Sequence, residues 1–171
     1  MFVFEFFWVL LKYTSERRSM TITKLKVILL IISILLSFQI YKNLTTPNTI
    51  GLINDSFKPL KNTPNGVSSQ ASTEDKKVKP FKMNTSISDA KQKIKKLILS
   101  YENTKLVNEE TNYLHFVFTT NFFRFKDDVE FYFDSENNLI EFKSQSRIGY
   151  GDMGTNRERY DKIREDYITL K

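Results

Sequence analysis

Hydrophobic and polar positions divide the chain into three stretches of different texture. Residues 27–41 read Val-Ile-Leu-Leu-Ile-Ile-Ser-Ile-Leu-Leu-Ser-Phe-Gln-Ile-Tyr, with no charge among them. Fifteen helical residues rise about 22 Å, short of the roughly 30 Å hydrocarbon core of a bilayer. Residues 21–25 and 42–44 extend the helix, and Lys24, Lys26 and Lys42 reach the interfaces along their aliphatic stems. Such a helix offers no polar face to water, so residues 20–44 are read as a transmembrane anchor rather than a core helix. Residues 1–11 are apolar except Glu5 and too short to span. They belong to an apolar and basic N-terminal extension, residues 1–19. Met20 followed by Thr-Ile-Thr-Lys-Leu-Lys forms a conventional start for a membrane segment, which would leave that extension untranslated. The rival reading lays it on the inner leaflet as an interfacial aromatic segment.

The second stretch, residues 45–83, has neither a helical nor a strand period. It holds all four prolines, Pro47, Pro59, Pro64 and Pro80. It is read as an extended arm leading from the membrane to a folded domain, with a loop at 59–71.

The third stretch, residues 84–171, alternates like a small α+β domain. Ser86 or Ser88 can cap a helix in which Ile87, Ala90, Ile94, Leu97, Ile98 and Tyr101 recur at helical spacing. Lys91, Lys93, Lys95 and Lys96 fill its solvated side. A short strand at 104–107 follows. Residues 113–119 then place Leu114, Phe116 and Phe118 on one face and Tyr113, His115 and Val117 on the other. Strands at 129–134 and 139–144 flank the hairpin loop Ser135-Glu136-Asn137-Asn138. A register that sets Asp134 against Leu139 brings Phe133 to Ile140, Phe131 to Phe142 and Val129 to Ser144. It also brings Glu130 to Lys143 on the opposite face, so both faces make sense together. Thr155 and Glu158 fit a capping box for a last helix with the stripe Tyr160, Ile163, Tyr167 and Leu170. The predicted architecture is α+β: a small antiparallel sheet with an N-terminal and a C-terminal helix packed on it, preceded by a single transmembrane helix.

Composition narrows the chemistry. Among 171 residues there is no cysteine and one histidine, which excludes thiolate metal sites, cysteine nucleophiles, disulfides and two-histidine sites. The formal net charge of +6 divides equally between the two sides of residue 42. Lys12, Arg17, Arg18, Lys24 and Lys26 precede the span against Glu5 and Glu16. The positive-inside rule therefore expects a cytoplasmic N-terminus and a periplasmic or otherwise extracytoplasmic domain. Ser37-Phe38-Gln39-Ile40-Tyr41 matches a cleavage site poorly, so an uncleaved signal anchor is expected.

Two motifs are read blandly. Gly149-Tyr150-Gly151-Asp152-Met153-Gly154 fits G-x-G-x-x-G, but no second parallel strand follows and Asp152 would sit where pyrophosphate belongs, so a turn entering a helix is expected. Phe122-Phe123-Arg124-Phe125-Lys126 interleaves rings and cations like a base-stacking platform, yet Asp127, Asp128 and Glu130 follow, and no nucleic-acid partner is expected. His115 is the sole imidazole and reads as a hydrogen-bonded structural residue. Adjacent strand residues Asp127 and Asp128 point to opposite faces and should not converge. A dense polar set, Arg124, Asp127, Asp128, Glu130, Arg147, Asp152, Asn156, Arg157 and Arg159, reads as an ion-pair network locking the 149–154 loop to the sheet. The sharper alternative is an anionic-ligand pocket formed by His115, Arg124, Asp127, Asp128, Arg147, Asp152, Asn156 and Arg157, with Arg124 and Arg147 as forks.

Several segments carry a family resemblance. Pro-Asn-Gly-Val-Ser-Ser-Gln-Ala at 64–71, Tyr113-Leu114-His115, Phe-Arg-Phe-Lys-Asp-Asp-Val-Glu-Phe at 123–131, and the run from Ser144 to Arg159 occur in order. From about Gly51 to the C-terminus the chain resembles the domain of unknown function 1499. That resemblance implies a bacterial envelope protein with relatives in plant plastids, and attaches no reaction to it. The family pattern resembles C-P-x-S-P-N-C before Val-Ser-Ser. Here the two cysteine positions are Leu60 and Gly66, so that staple is lost. The expected protein is a membrane-anchored, extracytoplasmic, non-catalytic binding or envelope-associated module. Its partners would be the membrane through residues 20–44 and an anionic small molecule or an envelope protein. No cofactor and no metal are expected. The alternative is a small hydrolase-like enzyme using His115 with Asp127 or Asp128. A third reading has the Tyr113/His115/Val117 face presented to another protein.

Overall fold

The computed structural model describes residues 2–169. Met1, Leu170 and the side chains of Glu5, Glu16, Arg17 and Arg18, all used in the sequence reading, lie outside the described residues. The chain forms two compact units, residues 1–41 and residues 42–171.

The first unit is helical. Helix α1 (Phe2–Leu44) runs through Met20 without a break, and its last three residues belong to the second unit. Its 23-residue portion Ile22–Leu44 is long and apolar enough to cross a membrane. The same length and composition also suit a signal sequence.

The second unit begins with a two-stranded ribbon, β1 (Leu52–Ile53) and β2 (Ser56–Phe57). There follow β3 (Gly66–Ser68), a turn of 3-10 helix at Glu74–Lys76, and β4 (Phe81–Lys82). Helix α2 (Ile87–Leu99) leads to β5 (Thr104–Glu110), β6 (Tyr113–Thr119), β7 (Lys126–Asp134), β8 (Leu139–Ser146) and α3 (Thr155–Thr169). The main sheet is antiparallel in the order β3-β8-β7-β6-β5, and β4 also pairs with β8. The β7–β8 register is the one the alternation predicts, with Asp134 opposite Leu139, Phe131 opposite Phe142 and Glu130 opposite Lys143.

Helix α2 starts where the sequence places it. Ser86 accepts a hydrogen bond from the Asp89 amide at 3.1 Å, and Ala90, Ile94, Leu97 and Ile98 face the core. Tyr160 and Ile163 of α3 complete that core over Leu114, Phe116, Val129, Phe131 and Phe142. Phe142 lies 5.4 Å from Phe131 and 5.3 Å from Tyr160 between ring centroids, so the rings interlock edge to face or tilted.

Residues 45–83 correct the sequence reading: they are not an arm ahead of the domain. Val67, Val78 and Phe81 belong to the main core. Gly66 to Ser68 pair with β8 from Gln145 to Lys143. These strands are two or three residues long, too short to show a period, and their prolines stand outside the paired positions. The strand at 104–107 also proves longer, reaching Glu110 past an irregularity between Leu106 and Asn108 that breaks the alternation.

Candidate functional site

The sheet has two faces of different chemistry. Leu114, Phe116, Val129, Phe131, Ile140 and Phe142 point to the helices. The intervening residues carry Tyr113 and His115 on β6, Asp128 and Glu130 on β7, and Lys143 and Gln145 on β8, with Arg147 just beyond. All of these polar residues are buried. Residues 43–61 supply their cover: Leu52 and Phe57 pack on Tyr113 and Tyr132. The Tyr113/His115/Val117 face is therefore closed by the chain's own residues and is not free for another protein, because the ribbon read as an arm folds over it.

This covered face holds two charge clusters. In the first, Arg147 grips Asp128 with two hydrogen bonds, Nε to Oδ2 at 2.9 Å and Nη2 to Oδ1 at 2.8 Å. His115 Nε2 lies 2.8 Å from the same Oδ1. The remaining Arg147 nitrogen, Nη1, donates to the carbonyls of Asn43 and Leu44, both at 3.2 Å. Burial by itself would raise the Asp128 pKa; the hydrogen bonds from His115 and Arg147, together with the Arg147 charge, outweigh it and hold the carboxyl below its ordinary value. In the second cluster, Lys143 Nζ lies 2.9 Å from Glu130 Oε2 and donates to the carbonyls of Thr49 and Lys58. Glu130 Oε1 accepts from Tyr113 Oη at 2.6 Å and from the Gly51 amide at 2.7 Å. Burial lowers the Lys143 pKa against the pull of Glu130, and burial with Glu130 raises that of Tyr113, which stays a donor.

On the helix face, Asp127 pairs with Arg159 at 2.6 Å. Asn156 ties the neighbouring elements together. Its amide group donates to the Asn65 carbonyl, Ser146 Oγ and Asp152 Oδ2, and its oxygen accepts from Ser144 Oγ and Arg159. Asp152 also accepts from the Gly154 and Asn156 amides at 3.1 and 2.9 Å. Its carboxylate caps α3, while Thr155 turns its hydroxyl to the Asp152 carbonyl. The expected Thr155/Glu158 capping box is thus replaced by a side chain three residues earlier than Thr155. The glycine run forms a turn, with Gly149 and Gly154 at φ of +88° and +86°, and Asp152 takes amides that a phosphate would need.

The eight candidate residues do not share one place. His115, Asp128 and Arg147 meet on the covered face; Asp127, Asp152 and Asn156 lie on the helix face. Arg157 reaches the Asp75 carbonyl at 2.7 Å. Arg124 sits exposed at φ +55° in the β6–β7 turn, and its side chain has no hydrogen bond or ion pair among the described residues. Arg124 and Arg147 therefore do not form a pair of forks: one faces solvent, and the other is filled by Asp128. Sequence reading set Tyr113 on the His115 face without giving it a partner there, and missed Gln145, Asn43 and Lys61, whose Nζ donates to the Ser146 and Arg147 carbonyls. Alternation could have found Gln145; Lys61 and Asn43 act through backbone atoms distant in sequence and leave no local signal.

As chemistry, the His115–Asp128 pair resembles a base and its orienter. His115 is 2% exposed, however, and Asp128 is held by a guanidinium rather than left to share a proton. Open clefts lie elsewhere. A cleft of about 320 Å³ among β4, α2 and α3 is lined by Phe81, Lys82, Lys93, Arg164 and Tyr167. Another, of about 280 Å³, lies in the 57–76 loop region and includes Lys58, Leu60, Lys61 and Lys76.

Comparison with known proteins returns one family. The model of a family described as "Protein of unknown function (DUF1499)" matches residues 56–167, more than half of the chain and all of the main sheet. No curated protein and no solved structure matches the chain.

Proposed function

The chain belongs to the DUF1499 family, and on that premise we propose that it is a membrane-anchored extracytoplasmic protein whose domain is a non-catalytic binding or envelope-associated module. One observation carries this reading: the sole imidazole and its carboxylate partner are sealed in the covered face, with the carboxylate held by Arg147. His115 is 2% exposed, so a reacting substrate reaches it only if this face is uncovered. A hydrolase-like use of His115 keeps its partner Asp128 but lacks the open cleft that general-base catalysis requires. The apolar helix Ile22–Leu44 supports the anchor, and the cations ahead of its uncharged stretch 27–41 support a cytoplasmic N-terminus. Lys82, Lys93 and Arg164 around the Tyr167 ring support an anionic small molecule as the ligand.

The chain has no cysteine, so a single introduced one reports topology cleanly. Glu136→Cys, in the exposed β7–β8 loop, is expected to react with a membrane-impermeant maleimide in intact cells. Reaction only after lysis would overturn the extracytoplasmic placement. For the ligand, inorganic phosphate is expected to raise the melting temperature of the full chain, and Lys82→Ala with Lys93→Ala to abolish the rise. No rise with the unaltered chain would overturn the anionic-ligand part.

A further inference from the structure

The β6–β7 connection exposes three phenylalanines. Phe122, Phe123 and Phe125 are 86%, 67% and 42% exposed. They are held in an ordered turn. The Thr120 amide donates to the Phe125 carbonyl, and the Phe125 amide to Thr120 Oγ1, both at 2.9 Å. Phe123 stacks on Phe125 at 5.2 Å and meets Phe122 edge-on at 4.8 Å. Three rings clustered on the surface of so small a domain form an apolar patch that water does not favour.

Where this patch sits decides its use. Asn43 Nδ2 donates to the Arg124 carbonyl at 2.9 Å, and Asn43 Oδ1 accepts from the Lys126 amide at 2.8 Å. Asn43 is in the last turn of the Ile22–Leu44 segment, yet it belongs to the same compact unit as the turn it binds. The aromatic turn is therefore bonded to the residue at which the apolar segment ends. When that segment spans a bilayer, its end lies in the headgroup layer, where aromatic rings and basic side chains partition. Charge agrees: Arg124 and Lys126 flank the rings. The acidic residues that follow do not repel anionic headgroups, because Asp127 and Asp128 are buried and paired with Arg159 and Arg147.

We propose that the 120–126 turn is a second membrane contact, inserting Phe122, Phe123 and Phe125 into the lipid interface at the end of the span. The inference rests on the anchor reading above. It is tested with the full chain in vesicles of phosphatidylcholine and phosphatidylglycerol, using single cysteines labelled with an environment-sensitive fluorophore. Phe122→Cys and Phe123→Cys report the turn, Leu35→Cys the span, and Glu136→Cys the far end of the domain. Labels at 122 and 123 are expected to shift to the blue and to be quenched by nitroxide-bearing lipids, while the label at 136 stays aqueous. A lipid-quenched label at 35 with aqueous labels at 122 and 123 would overturn the second contact and leave the anchor standing. A blue shift at 122 and 123 without lipid quenching would mean a protein partner or a second copy, and also overturns it. A label at 35 untouched by lipid quenchers would overturn the anchor and this inference together.

Discussion

Lys143 Nζ lies 2.9 Å from Glu130 Oε2 with both side chains fully buried. This is an ion pair inside the domain, directly across the β7–β8 ladder. Removing one partner strands the other charge without water. Lys143→Met is expected to lower the unfolding free energy by about 3–5 kcal/mol. The double variant with Glu130→Leu is expected to recover a substantial part of that loss, because no charge is then left unpaired. Denaturant midpoints of the two variants decide; equal losses in both would mean that the pair does not act as a unit.

Asp128 has two partners of unequal weight. Arg147→Met leaves the Asp128 carboxylate buried without the guanidinium that pairs with it, with an expected loss of about 3–5 kcal/mol. His115→Gln removes one hydrogen bond at most, with an expected loss of about 0.5–1.5 kcal/mol. Similar midpoints for the two variants would refute this ranking.

The lowered pKa of Asp128 gives stability a direction with pH. A carboxyl below its ordinary value contributes fully above that value, 3.8, and loses the contribution as pH falls through the folded value. Unfolding free energy should therefore drop steeply below about pH 4. Asp128→Asn is expected to be less stable at neutral pH and to show a shallower acid slope. An unchanged slope, measured by urea unfolding across that window, would assign the acid sensitivity to other carboxyls.

Leu60 and Gly66, where the resemblance would put a cysteine pair, prove to be neighbours. A Cβ placed on Gly66 would come within 2.9 Å of Gln145 Cβ and 3.1 Å of Leu60 Cδ2. Gly66→Ala is thus expected to cost about 1–3 kcal/mol through overpacking. With Leu60→Cys and Gly66→Cys together, the bulk at 60 shrinks as that at 66 grows. The pair is expected to close a disulfide on oxidation, read as the loss of two hydrogens in the intact mass. Two free thiols after oxidation would show that the two side chains do not meet in bridging geometry.

Asp152 and Asn156 separate a cap from a hub. Asp152→Ala removes the acceptor for two amides at the start of α3 and is expected to cost about 1 kcal/mol. Asn156→Ala takes a partner from three buried groups, the Asn65 carbonyl, Ser144 Oγ and Ser146 Oγ, at about 1–3 kcal/mol for any left unsatisfied. The thermal midpoint of Asn156→Ala should fall well below that of Asp152→Ala; the reverse order would make the cap the main lock.

How much of this was legible depended on distance along the chain. The hairpin register from Val129 to Ser144 followed from alternation, because both faces of a two-stranded ladder constrain each other. The stripe of α2 and its Ser86 cap followed from spacing within one helix. The role of Asp152 was missed because Thr155 and Glu158 offer an equally good local pattern, and only the path of the turn selects between them. The place of residues 45–83 was missed because β3 and β4 gain their strand conformation from β8, more than fifty residues later.

By itself, the sequence determined the apolar helix, the α+β order, the β7–β8 register and the opposite facing of Asp127 and Asp128, since each follows from periodicities of 3.6 or 2 within a short stretch. Tertiary structure alone decided that the polar face is covered, that Arg147 serves Asp128 rather than a ligand, and that the aromatic turn meets Asn43. Those outcomes join residues from 19 positions apart, for Asp128 and Arg147, to 83 apart, for Asn43 and Lys126, where packing and the burial of charge, not local pattern, select the partner.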